Sequence, residues 1–70
     1  MTQNEMILKH LQEVGNITPM EALSEYGCMR LASRISDLKK QGVMIGSRTI
    51  SHRNRFGKQT SYSKYYLIEE

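Results

Sequence analysis

The 70-residue chain has one cysteine, one proline, one phenylalanine and no tryptophan. Cys28 alone can form no internal disulfide and no zinc knuckle, and His10 and His52 stand in no metal-ligand spacing. A lone small thiol beside a turn reads as a core-filling residue in a reducing compartment. No apolar run approaches the ~18 residues that span a bilayer, and no signal peptide is visible, so the expectation is a cytoplasmic protein without membrane contact. Carboxylates are scarce after position 29. Residues 1–29 carry Lys9 against Glu5, Glu13, Glu21 and Glu25, a balance of −3. Residues 30–68 carry nine Lys and Arg against Asp37 alone, a balance of +8, and Glu69 and Glu70 return the total to +3. Such asymmetry in so short a chain points to a polyanionic partner.

This length allows one domain, 1–70, with a core that buries only about 60% of the surface its unfolded chain exposes. Thr2 and Glu5 have capping-box spacing, and Ile7, Leu8, Leu11 and Val14 recur at helical period before Gly15, which predicts a helix over 3–14. Thr18, Pro19 and Glu21 punctuate a second helix over 19–26, with Ala22, Leu23 and Tyr26 as its buried stripe. Ile17, just before that cap, either staples onto the new helix or makes a one-residue strand contact. Gly27 stops the second helix, and Leu31, Ala32, Ile35 and Leu38 form the core stripe of a third over 29–41. The pattern then turns from a period of 3.6 towards 2, predicting strands over 43–50 and 60–68 around a basic loop over 51–59, with Gly46-Ser47 a weak middle in the first strand. Three helices followed by a two-stranded hairpin describe an α+β winged helix-turn-helix.

In such an arrangement the third helix enters the major groove of double-stranded DNA. Its face opposite Leu31, Ile35 and Leu38 carries Arg30, Ser33, Asp37 and Lys40, with Arg34 at the edge. Arg30 and Arg34 suit bidentate bonds to guanine, and Ser33 suits several bases. Asp37 repels phosphate unless it accepts from cytosine or orients an arginine. The wing offers Arg48, His52, Arg53, Asn54, Arg55 and Lys58 to phosphates or to the minor groove. Phe56 is expected to pack the wing onto the body, and the strand tyrosines to pack rather than to stack on single-stranded bases. Catalysis finds no footing: no Ser, His and Asp share a context, and no phosphate-binding glycine loop occurs. The reading is of a protein that is not an enzyme and needs no cofactor. A homodimer or tandem sites would supply the base pairs that one module cannot reach.

Residues 17–42, ITPMEALSEYGCMRLASRISDLKKQG, with NRFGK at 54–58 and YYL at 65–67, closely resemble the small winged helix-turn-helix proteins of tailed phages and prophages. The resemblance covers about residues 5–68. It implies a winged helix in which Arg30, Ser33 and Arg34 match the recognition helix and Arg53, Arg55 and Lys58 the wing. The expectation is a DNA-binding protein of the host bacterial cytoplasm, a transcriptional regulator or an accessory factor in recombination or excision. The alternative is a small phage protein that inhibits or redirects a host protein, such as a defence nuclease or a polymerase-associated factor.

Overall fold

The computed structural model describes residues 1–68. The Thr2 hydroxyl accepts the Glu5 backbone N–H at 3.2 Å and starts α1 (Gln3–Val14). At Thr18 the cap is reciprocal: Glu21 N–H donates to the hydroxyl at 3.2 Å and Thr18 N–H donates to Glu21 Oε1 at 3.0 Å. With Pro19 in the first turn, this cap starts α2 (Pro19–Tyr26). Gly27 then takes φ +65°, a left-handed conformation that costs a side chain with a Cβ about 1–2 kcal/mol, and its N–H donates to Leu23 O at 2.9 Å.

The third helix begins later than the apolar period suggests. α3 (Leu31–Lys40) has Arg30 as its N-cap, at φ −126° and ψ 62° and without a side-chain cap bond. Neither Met29 nor Arg30 carries a cap oxygen, so the turn after Gly27 extends through them before helical bonding resumes.

The sheet is three-stranded and antiparallel rather than a two-stranded hairpin, in the order β1 (Asn16–Ile17), β3 (Gln59–Leu67), β2 (Ile45–Arg53). Between the first two helices, β1 pairs Asn16 with Tyr66 and Ile17 with Tyr65, and Leu67 N–H donates to Gly15 O at 3.1 Å. The strand contact weighed for Ile17 is therefore the form taken. The hairpin is also longer than its apolar content suggests: β2 reaches Arg53 instead of stopping near 50, and the tip shrinks from 51–59 to 54–58. His52 pairs with Thr60 and Arg53 with Gln59, because a ladder wet on both faces is held by backbone bonds. Gly46 does not break the strand. The Tyr66 ring lies across it, so a Cβ at Gly46 would meet ring atoms at 2.5–2.7 Å.

The core is Ile7, Leu11, Ile17, Ala22, Cys28, Leu31, Ile35, Leu38 and Ile45, flanked by Leu8, Tyr26, Val43, Tyr65 and Leu67. Cys28 is buried within it. Leu23 and Ala32, expected in the core, are exposed, and so is Val14 at the end of the α1 period. α2 is only eight residues long and turns its Ala22–Tyr26 edge inward, leaving Leu23 a step of about 100° off the contact. Ala32 stands the same step from Leu31 on α3.

One polar clamp joins the first two helices. His10 is buried on α1, and its Nδ1 lies 2.6 Å from the Tyr26 hydroxyl. Of the two neutral tautomers, the one in which the phenol donates to Nδ1 puts the Nε2 hydrogen towards the Glu21 carboxylate, 4.0 Å away. Nε2 itself has no hydrogen-bond partner. Burial first, then the carboxylates of Glu25, Glu13 and Glu21, raise the Tyr26 hydroxyl above its ordinary value of 10.0.

Candidate nucleic-acid interface

Three buried residues, Leu31, Ile35 and Leu38, set the roll of α3 about its axis. Ala32, Ser36, Lys39 and Lys40 are the exposed positions along the helix, spread about 80–180° round from that stripe at 100° per residue. The outward face is low at its N-terminal end, where backbone can approach a ligand closely, and cationic at its C-terminal end. Arg30 is exposed at the entry to the helix.

The remaining candidates on this helix lie round its flank. Ser33, Arg34 and Asp37 are half-buried, and Arg34 lies on the side that meets α1. Arg34 Nη1 donates to Asn4 Oδ1 at 3.4 Å and lies 3.8 Å from Asp37 Oδ2. Arg30 and Lys40 thus stand with the open face, whereas Arg34 and Asp37 form a pair braced on α1. Sequence reasoning missed Ala32, Ser36 and Lys39. Their spacing of four and three residues was the available signal, hidden because Ala32 counts as apolar and was assigned to the core.

The wing candidates also divide. Arg48 sits on the sheet face that carries Ile50 and His52, directly opposite Lys64. Asn16, Arg48, Ile50, Lys64 and Tyr66 line a shallow hollow there. His52 meets Tyr62 edge-on, with ring centroids 6.0 Å apart, and contacts the Thr60 hydroxyl. Arg53, Arg55 and Lys58 are exposed at or beside the tip. Asn54 is half-buried and organises the tip: its Oδ1 accepts the N–H of Phe56 at 2.9 Å and of Lys58 at 3.1 Å. Asn54 N–H donates to Lys58 O at 2.9 Å, and Gly57 N–H to Asn54 O at 3.0 Å. The tip is a bonded turn rather than the slack loop its composition suggests.

Phe56 does not pack the wing onto the body. It is 85% exposed, with the Arg55 guanidinium carbon 5.6 Å from its ring centroid. The hairpin carries it past the last core contact, so there is no body within reach. The tyrosines divide as well. Tyr26 bonds His10 and Tyr65 packs on the core, but Tyr62 and Tyr66 are exposed on the outer sheet face.

The electrostatic layout follows the chain order. Glu5, Glu13, Glu21 and Glu25 lie on α1 and α2, while Arg30, α3, β2, the tip and β3 together hold nine cations against Asp37. Among the described residues no group of three His, Cys, Asp or Glu side chains could hold a metal ion. No helix there is long and apolar enough to cross a membrane.

No curated protein and no solved structure matches the chain. A family model described as a winged helix-turn-helix domain matches residues 2–70. The helix-turn-helix of α2 and α3, the sheet order and the basic hairpin agree with that match, and the fold is a DNA-binding one. The chain belongs to the winged helix-turn-helix family.

Proposed function

We propose that this protein binds double-stranded DNA by laying α3 in the major groove and its basic wing on the neighbouring backbone. The observation that carries this reading is the open face of α3, low at Ala32 and Ser36 and cationic at Lys39 and Lys40. Arg30 and Ser36 take base edges, Ala32 takes a thymine methyl, and Ser33 bonds from the flank. Lys39, Lys40, Arg53, Arg55 and Lys58 take phosphates. Arg34 and Asp37 act as a positioning pair that sets the helix against Asn4. Asn54 keeps the tip in shape, and Arg48 and His52 add charge behind it.

The resemblance of residues 17–42, 54–58 and 65–67 to small phage proteins supports a phage or prophage role in the host cytoplasm. That role is transcriptional regulation, or an accessory part in recombination or excision, performed by site occupancy and not by catalysis. One module reaches few base pairs, so two copies on half-sites about 10–10.5 base pairs apart would complete a specific site.

Selecting sites from random duplexes, then testing single variants on them, checks the assignment. Arg30→Ala should flatten the preference among sequences, and Lys58→Ala should weaken every sequence alike. Absence of duplex binding at about 50 mM salt, or identical behaviour of the two variants, would overturn it.

A further inference from the structure

Phe56 is the one phenylalanine of the chain, and it stands 85% exposed at the far end of the hairpin. A ring of this size left in water forgoes the stabilisation that burial would give it. The tip holds it there firmly. Asn54 Oδ1 accepts the N–H of Phe56 itself, and Gly57 adopts φ +78° to close the turn. Arg55 stands over one face of the ring, and Arg53 and Lys58 flank it. No carboxylate occurs between residues 38 and 68. The tip is an apolar blade set among cations on a hydrogen-bonded turn.

That combination discriminates between partners. Aromatic and arginine side chains are common at protein–protein interfaces, but three cations round one ring, with no carboxylate in the hairpin to pair with them, require a surface that is anionic on both sides of an apolar slot. A step between stacked base pairs supplies an apolar slot with phosphates on both sides. We propose that Phe56 is a wedge that enters the minor groove and parts two base pairs, so that the wing bends the duplex. Arg53, Arg55 and Lys58 hold the phosphates that border the parted step. Pyrimidine–purine steps, TA above all, unstack most readily and are the expected targets. The inference rests on the duplex reading given above and adds a deformation to it.

The test uses the whole chain and a duplex of about 30 base pairs with a central TA step and a dye at each end. Saturating wild-type protein should raise energy transfer between the ends, as a kink of about 20–90° requires. Phe56→Ser should still bind, no more than about tenfold weaker, and leave transfer at the value of free DNA. Phe56→Leu keeps an apolar wedge and should bend the duplex as the wild type does. Equal bending by Phe56→Ser, or a straight duplex with Phe56→Leu, overturns the wedge. Wild-type binding without bending overturns it too but spares the duplex reading, whereas no binding at about 50 mM salt removes both. Sedimentation of the free proteins completes the test: if Phe56→Ser lowers the oligomeric state, the ring is a contact between copies and not a wedge.

Discussion

Replacing Lys39 and Lys40 by glutamine should change how DNA binding responds to salt, by an amount set by the geometry of α3. Six cations stand exposed on the open face and the wing tip: Arg30, Lys39, Lys40, Arg53, Arg55 and Lys58. If each neutralises one phosphate, log K falls against log salt with a slope of about −5, from roughly −0.9 per contact. Between about 50 and 200 mM salt the affinity then drops about 1,000-fold. The double variant loses two contacts, and its slope should flatten to about −3.5. Arg34→Gln should leave the slope near −5, because that guanidinium is braced against Asn4 and Asp37 and does not count among the phosphate contacts. Fluorescence anisotropy of a labelled duplex across a salt series measures all three slopes. A wild-type slope shallower than about −2 would refute the reasoning, as would an Arg34→Gln slope as flat as that of the double variant.

Other expectations concern stability, read from urea or thermal unfolding. Tyr26→Phe removes the one hydrogen bond that the buried His10 ring makes among the described residues and should cost about 1–3 kcal/mol. Because folding raises the Tyr26 hydroxyl above 10.0, the stability it contributes is complete below pH 10.0 and is lost as pH rises through the folded value. The phenylalanine variant should lack that alkaline decline. Ile17→Ala empties a fully buried site where helices and sheet meet, at a cost of about 2–4 kcal/mol, whereas Leu23→Ala, at a 47% exposed position, should stay within about 0.5 kcal/mol of wild type. Gly57→Ala puts a Cβ on a left-handed turn with nothing within 4 Å, so strain alone of about 1 kcal/mol should lower Tm by about 5 °C.

Local signals carried the helices well. Thr18, Pro19 and Glu21 mark the start of α2 because the cap is made within four residues, and Gly27 marks its end because the backbone there is left-handed. Basic residues after position 29 marked the charged half for the same reason: composition needs no partner to be read. The failures share a cause. Apolar period says nothing about caps, so it starts α3 two residues early, and a methyl group is apolar whichever way it faces, so the same period puts Ala32 in the core. The same assumption packs Phe56 and Leu23, which both stand exposed.

By itself, then, the sequence determined the three helices, the hairpin, their order and the side of the chain that bears positive charge. Each of these depends on residues a few positions apart, where caps, turns and period act directly. Tertiary structure alone decided that Asn16–Ile17 adds a third strand to β3, since pairing across nearly fifty residues leaves no local periodicity to read. Tertiary structure also turned Arg34 towards Asn4, thirty residues away, and left Ala32, Ser36, Lys39 and Lys40 as the open face. Which side of α3 can meet DNA depends on how that helix is rolled when Leu31, Ile35 and Leu38 enter the core, and the roll is a property of packing.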